Sequence, residues 1–226
     1  MKSSVIIFPG SNCDRDMSVA LEKFGFRNKM VWHNDNELPK SDLIVLPGGF
    51  SYGDYLRTGS IAAKSKIMKE VINFAKHGGM VLGICNGFQL LTESGLLPGV
   101  LLRNKYLRFI SSNVHLKIKN NSQFFFKKVK KEILEFHIAH NEGCYYIDND
   151  KLKELEENNQ IALEYCDESG KTSPEANPNG SVNNIAAIYN KNKNILGMMP
   201  HPERMIDTFL SGEDGSLFFE DIISNN

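Results

Sequence analysis

The 226-residue chain lacks the features of a protein that works in a membrane or on nucleic acid. Its 26 lysine and arginine residues nearly balance 27 aspartate and glutamate residues, so the formal net charge is −1 and no charge excess favours nucleic acid or an acidic membrane. The apolar run Val5–Phe8 is too short for the core of a secretion signal, and no stretch approaches the roughly 20 apolar residues of a spanning helix. We therefore expect a cytoplasmic protein with neither kind of partner.

Cysteine is also scarce, and the four residues are Cys13, Cys85, Cys144 and Cys166. Thiols stay reduced in the cytosol, so these residues are not expected to form disulfides. None belongs to a C-x-x-C pair, and isolated histidines such as His33 and His77 have no ligands at metal-binding spacing, so we predict no metal site. The chain also lacks a G-x-G-x-x-G fingerprint and a Walker P-loop, which predicts no nucleotide cofactor of its own.

The order of apolar patterns predicts an α/β fold. Buried strands are predicted at Val5–Phe8, Leu43–Leu46 and Met80–Ile84, alternating with helices at Asp14–Gly25, at Ile61–Ala75 and from Gly87. This alternation is typical of a parallel sheet covered by helices. After Pro98 the pattern changes to strands at Tyr106–Ile118 and Ile133–Ala139, a helix at Lys151–Asn158, a loop at Asp167–Asn184, a hairpin of Ile185–Tyr189 with Ile195–Met198, and a helix at Asp214–Ile223.

No repeat or linker divides the chain. We therefore predict one domain over residues 1–226, with an open, mostly parallel, flavodoxin-like sheet flanked by helices and an added antiparallel strand segment.

The pentapeptide Gly83–Gly87 (GICNG) lies where the third predicted strand meets a helix. A nucleophile with a glycine two positions away on each side is typical of a sharp strand-to-helix turn. Such an elbow would hold Cys85 at the carboxyl edge of the sheet, where the positive end of the helix dipole favours the reactive thiolate. The alternative is an ordinary buried cysteine, because short glycine patterns recur by chance.

A base and an acid for this thiol are predicted in Met199–Glu203 (MPHPE). Pro202 biases His201 towards extended geometry, in which residues two apart project to the same side. Glu203 could then orient one nitrogen of His201 while the other nitrogen faces the thiol, as nucleophilic catalysis requires. The alternative is a surface turn with a solvated histidine and glutamate.

A double-glycine loop, Pro47–Gly53 (PGGFSYG), directly follows the second predicted strand. Adjacent glycines let backbone N–H groups turn towards an anion. One of these groups, with the N–H of Asn86, would form an oxyanion hole, although a glycine turn without a ligand is common at strand ends. Because the carboxyl ends of parallel strands meet at one edge, all three segments are expected to converge there.

Together these segments resemble the class I (triad) glutamine amidotransferases. The resemblance is carried by GICNGFQ around Cys85, by MMPHPER with His201 and Glu203, and by the PGG loop. Further segments over nearly the whole chain are similar to one subfamily, the glutaminase subunits of the phosphoribosylformylglycinamidine synthases of purine biosynthesis. They are PGSNCDRD (9–16), PGGFSYGDYLR (47–57), GLLPGV (95–100), AHNEG (139–143), NGSV (179–182) and GMMPHPER (197–204).

The resemblance implies that Cys85 attacks the side-chain amide of L-glutamine, that His201 shuttles the proton and that Glu203 orients His201. It also implies substrate contacts or oxyanion donors at Gly48, Gly49, Phe50, Asn86 and Gln89. Ammonia would pass to a large synthetase subunit that binds ATP, Mg²⁺ and formylglycinamide ribonucleotide, and a small third subunit would complete the complex. A cysteine-elbow peptidase or deglycase, or a different triad amidotransferase, is the alternative.

Overall fold

The structure, a computed structural model, describes residues 1–209 and 212–224. In these ranges the strands are β1 (Lys2–Ile7), β2 (Arg27–Trp32), β3 (Leu43–Leu46), β4 (Met80–Ile84), β5 (Val100–Leu102), β6 (Ile110–Ile118), β7 (Ile133–His140), β8 (Cys144–Tyr146), β9 (Ile161–Cys166), β10 (Ile185–Tyr189) and β11 (Ile195–Met198). The α-helices are α1 (Asp14–Lys23), α2 (Lys66–Lys76), α3 (Asn86–Glu93), α4 (Asn149–Glu157) and α5 (Asp214–Ser224). Short 3₁₀ turns lie at Ser51–Asp54, Ala62–Lys64, Val182–Asn184 and Pro202–Arg204.

One sheet in the described ranges has nine strands in the order β2-β1-β3-β4-β11-β10-β9-β6-β7. Neighbours from β2 to β11 are parallel, and neighbours from β11 to β7 are antiparallel. Strands β5 and β8 form a separate antiparallel pair. The predicted open α/β sheet, flanked by helices and extended by an antiparallel segment, is confirmed.

The centre of the sheet is the apolar core of the protein. Every residue of β3 and β4 is buried, as expected for parallel strands that are covered on both faces, and α3 packs against β3, β4 and β11. At the edge, β2 buries only Val31. This polar edge strand was missed by the sequence analysis because its pattern, RNKMVW, has too few apolar residues to mark a strand.

The helix predicted at Ile61–Ala75 is interrupted. Ser65 adopts an extended conformation (φ −64°, ψ 157°) between the 3₁₀ turn at Ala62–Lys64 and α2. The apolar pattern predicted one continuous helix because Ala62 and Ile67, on either side of the break, are both buried. Ser65 occupies the N-cap position of α2, but its hydroxyl makes no capping hydrogen bond, so the extended backbone at Ser65 and not a side-chain cap marks the interruption.

The loop predicted at Asp167–Asn184 is not entirely at the surface. Asn179 is buried, and its Nδ2 donates to the carbonyl of Gly143 at 2.8 Å and to the hydroxyl of Tyr165 at 3.2 Å. Polar composition predicted a solvated loop, whereas the Asn179 side chain satisfies polar groups in the interior.

In the described ranges, no helix combines the length and apolar character needed to span a membrane.

The predicted hairpin of β10 and β11 is confirmed, with Ala187 opposite Met198. Its turn is anchored by Asn194, whose buried Nδ2 donates to the carbonyls of Ala75 at 2.9 Å and Gly79 at 2.7 Å. These bonds couple the hairpin to the end of α2. They also set the start of β11, which leads to His201 on the far side of the sheet.

We predict that Asn194→Ala lowers the free energy of unfolding by about 2–3 kcal/mol, because two interior carbonyls lose their donor. Asn158→Ala is the control, since the Asn158 amide donates to the Glu154 carbonyl at an exposed helix end and its removal should cost no more than about 0.5 kcal/mol. Urea unfolding followed by circular dichroism measures both. Equal losses in the two variants would contradict this role of Asn194.

Candidate active site

The carboxyl ends of four parallel strands meet at one edge of the sheet. Cys13 follows β1, Gly48 follows β3, Cys85 follows β4 and His201 follows β11. In open α/β sheets, ligands bind outside the carboxyl ends of the strands. The topology therefore brings together segments that are far apart in sequence.

The elbow predicted at Cys85 is present. Cys85 has φ 50° and ψ −105°, a left-handed conformation that is strained for a residue with a side chain. Its N–H donates to the Met198 carbonyl at 2.7 Å, which ties the elbow to β11. A Cβ atom on Gly87 would collide with the carbonyl of Leu46. Glycine at position 87 is therefore required for α3 to approach β3.

His201 and Glu203 form a buried pair. Nδ1 of His201 lies 2.6 Å from Oε1 of Glu203, and the two residues are 1% and 3% exposed. His201 is extended (φ −105°, ψ 90°), but Glu203 lies in the 3₁₀ turn Pro202–Arg204. The turn rather than a continuous extended segment brings the two side chains together, which corrects the sequence-based geometry. The N–H of His201 donates to the His137 carbonyl at 2.8 Å and fixes the histidine against β7.

The surroundings of His201 favour its protonated form. Burial by itself lowers the pKa of His201, but the Glu203 carboxylate and Cys85 more than offset this, so the pKa lies well above its ordinary value. Among the described residues, no group hydrogen-bonds to Nε2 of His201. The arrangement thus offers a proton donor in the cavity that contains the Cys85 thiol.

The double-glycine loop packs directly on the histidine. A Cβ atom on Gly48 would lie 2.7 Å from Cε1 of His201, so any side chain there would displace the ring. Gly49 has φ 138°, and the N–H of Phe50 donates to the Gly10 carbonyl at 3.0 Å. Because the Phe50 N–H is already hydrogen-bonded, the N–H groups of Gly48 and Gly49 are better candidates than that of Phe50 to form an oxyanion hole with the Asn86 N–H.

The side chain of Asn86 connects the elbow to this loop. Its Oδ1 accepts from the Ser51 N–H at 3.2 Å, and its Nδ2 donates to Oε1 of Gln89 at 2.9 Å. Gln89 is buried behind the elbow, and its own amide donates to the Glu142 carbonyl at 2.6 Å. The structure therefore places Gln89 in the hydrogen-bond network that supports Asn86 and not in the wall of the cavity with Cys85. A contact of Gln89 with a substrate stays a prediction.

A cavity of about 250 Å³ opens over the thiol, smaller than the roughly 300–1,000 Å³ of pockets for drug-sized ligands. Its wall contains the predicted residues Gly49, Phe50, Cys85 and His201. It also contains residues that the sequence analysis did not assign, among them Asn12, Cys13, Phe109, Ser111, Ala139 and Arg204.

Cys13 and Arg204 were missed although both lie in segments that carry the resemblance. The sulfur of Cys13, one nitrogen of His201 and one carboxylate oxygen of Glu203 lie within 4.8 Å of one another. Spacing along the chain gave no sign of this set, because its members follow different strands. The available signal was the position of Cys13 directly after β1, at the edge where the site forms.

His140 belongs to a supporting network beside the cavity. Its Nδ1 lies 3.1 Å from Oδ1 of Asn104, which also accepts from the Gly143 N–H at 3.0 Å. Burial, and then the nearby charge of His201, lower the pKa of His140 to about 4. His140 is therefore neutral near pH 7 and orders the segment that follows β7.

Comparisons with known proteins agree with this geometry. A family model described as a CobB/CobQ-like glutamine amidotransferase domain matches residues 1–213. The chain is 70% identical over 225 residues to the phosphoribosylformylglycinamidine synthase subunit PurQ of Pelagibacter ubique, with 100% of this chain and 99% of the relative covered. The corresponding subunit of Sulfurimonas denitrificans is 51% identical over 217 residues, with 95% and 96% covered.

A solved structure of PurLQS from Thermotoga maritima contains a chain that is 41% identical, with a TM-score of 0.86 over 99% of this chain and 97% of that chain. Cysteine-elbow peptidases and deglycases are thereby set aside as alternatives. The chain belongs to the glutamine amidotransferases and, among them, to the PurQ subunits of phosphoribosylformylglycinamidine synthase.

Proposed function

We propose that this chain hydrolyses L-glutamine to glutamate and ammonia through Cys85, His201 and Glu203, and delivers the ammonia to a separate synthetase subunit. The observation that carries the proposal is the convergence of a strained nucleophile elbow with a fully buried histidine–carboxylate pair in one cavity. This constellation is that of a nucleophile, a base and an orienting group.

In the first half of the reaction, the Cys85 thiolate attacks the side-chain amide carbon of glutamine and forms a C–S bond. The resulting oxyanion accepts hydrogen bonds from the N–H of Asn86, the first residue of α3, and from the Gly48–Gly49 segment. As the C–N bond breaks, the leaving amino group takes the proton of the His201 imidazolium and departs as ammonia. The product is a glutamyl thioester beside a neutral His201.

In the second half, the neutral imidazole takes a proton from water, whose oxygen attacks the thioester carbon. Breakage of the C–S bond releases glutamate and restores the thiolate with a protonated His201. Glu203 takes no part in proton transfer; its hydrogen bond with Nδ1 holds the ring so that Nε2 faces the reacting atoms.

Ammonia released here would be used by a large subunit that binds ATP, Mg²⁺ and formylglycinamide ribonucleotide and forms formylglycinamidine ribonucleotide in purine biosynthesis. No step above requires a metal or nucleotide on this chain. The Thermotoga maritima relative was solved as PurLQS, which supports a complex with two further kinds of subunit. Direct transfer would prevent protonation and loss of ammonia in bulk water.

Two loops that reach the cavity carry exposed apolar side chains that such a partner would cover. We call this surface the collar and define it as Phe50, Tyr55, Leu56, Tyr106, Leu107 and Phe109, all of which are exposed. Phe50 and Phe109 also line the cavity itself. Exposed apolar groups around a functional opening mark interaction sites.

Two loops of the collar hold their side chains outward by strained backbone. Leu56 (φ 67°) is 93% exposed and Leu107 (φ 53°) is 73% exposed, although leucine rarely adopts a positive φ. Both loops are anchored on the same turn, since Thr58 hydrogen-bonds to the Glu142 carboxylate and the Asn104 N–H donates to the Asn141 carbonyl at 2.9 Å. A partner seated on the collar would close the cavity and contact both loops.

We expect Cys85→Ala to abolish glutamine-dependent synthesis by the assembled complex, because no thioester can form. Synthesis with added ammonium salt should continue at the rate of the unmodified complex, since the synthetase is untouched. Product formation with each nitrogen source measures both activities. Loss of both, or retention of the glutamine-dependent activity, would count against the proposed function.

Gly48→Ala should lower kcat for glutamine hydrolysis by about 10²-fold, because the added methyl group displaces the imidazole of His201 and misplacements of this size have such effects. Circular dichroism should show an unchanged fold, and ammonia-dependent synthesis should survive. A Gly48→Ala complex with ordinary kcat would show that the ring tolerates the methyl group.

The double variant L56N/L107N should weaken binding to the large synthetase subunit by about 10- to 100-fold, as expected for apolar anchors at an interface. Asparagine tolerates the positive φ, so the change removes the apolar groups and keeps the backbone. Val19→Asn is the control, since Val19 is 59% exposed on α1 outside the collar. Titration calorimetry measures all three affinities, and a double variant that binds as tightly as the control would exclude the collar from the interface.

A further inference from the structure

Cys13 is a second thiol in the wall of the active-site cavity. It is the N-cap residue of α1, it is 2% exposed, and its N–H donates to the Gly48 carbonyl at 3.3 Å. Nη2 of Arg204 donates to its sulfur at 3.1 Å. Cys13 is therefore held from two sides: the loop that follows β3 accepts its backbone N–H, and the turn that follows β11 donates to its sulfur.

The same sulfur lies beside the catalytic pair. It is within 4.8 Å of a ring nitrogen of His201 and of a carboxylate oxygen of Glu203. A Cβ atom on Gly48 would lie 3.2 Å from this sulfur and 2.7 Å from Cε1 of His201. Cys13 and His201 thus pack against the same point of the double-glycine loop.

We propose that Cys13 is a positioning residue for the glutaminase reaction: Arg204 fixes its sulfur beside His201, and the sulfur, Gly48 and Glu203 together hold the imidazole towards Cys85. This inference rests on the proposed function but concerns a residue outside the triad. Arg204 supports this arrangement, because its guanidinium donates to the sulfur. Charged donors make stronger hydrogen bonds than neutral donors, which makes this contact a firm support.

Ionisable groups face His201 from several elements. They are Glu203 and Arg204 on its own turn, Cys85 at the elbow, His137 and His140 on β7, and Cys13 before α1. Burial lowers the pKa of His201, whereas Glu203, Cys85 and then Cys13 raise it. Replacing Cys13 leaves the other groups in place, so a change in the titration of His201 would report the contribution of this sulfur.

The test compares Cys13→Ser and Cys13→Ala with Cys166→Ser, which removes another buried thiol, on β9. The ¹⁵N chemical shifts of the imidazole in the full-length labelled chain give the titration midpoint of His201. The pH dependence of kcat for glutamine hydrolysis is measured in the assembled complex. We expect both Cys13 variants to lower the titration midpoint of His201, because the sulfur of Cys13 raises the pKa of His201. We also expect both variants to lower kcat by about 10- to 100-fold, and the control to change neither quantity.

A Cys13→Ser protein with the original midpoint, or with the original kcat, overturns the proposal. If Cys13→Ala fails to fold, Cys13→Ser and Arg204→Lys decide, because both keep a polar group near the same place. A purely structural role would lower the melting temperature and leave the midpoint of His201 unchanged. Absence of glutamine hydrolysis by the unmodified complex would instead contradict the proposed function. The titration of His201 would still report on Cys13 in that case.

Discussion

The buried hydrogen bond between His201 and Glu203 is the interaction on which the rest of the site depends. Burying a charged pair is costly unless the partners are well placed, and here the turn Pro202–Arg204 and the His137 carbonyl hold both residues. The folded chain binds the proton of His201 more tightly than the unfolded chain does. The pair therefore stabilises the fold fully below about pH 6.5, the ordinary pKa of histidine, and this contribution is lost as pH rises through the higher pKa of the folded state.

The strained elbow at Cys85 is sustained by contacts from three directions. β11 accepts its N–H through Met198, α3 begins directly after it, and Asn86 links it to the Ser51 backbone. Backbone strain of about 1–3 kcal/mol persists only where surrounding structure determines the conformation. The parallel strands β3, β4 and β11 provide this surrounding structure. The strands that form the centre of the sheet therefore also hold the thiol in its strained position.

The ends of β3 and β4 could be read from the sequence because each of these buried runs stops at a local signal. Leu43–Leu46 ends before Pro47, and Met80–Ile84 ends at the elbow, as predicted. β2 could not be read in this way, since an edge strand needs few apolar residues. The break at Ser65 was also hidden, because periodicity reports which side faces the core and not whether the backbone is continuous.

The sequence by itself determined the α/β class, the elbow that contains Cys85 and the candidacy of His201 and Glu203, because these depend on short-range patterns of glycine, proline and apolar residues. Tertiary structure decided the rest. The place of Gln89 behind the elbow and the contact of Cys13 with Arg204 arise where segments that are far apart in the sequence lie side by side. Spacing along a chain carries no information about such meetings, because strand order in the sheet alone brings these residues within reach.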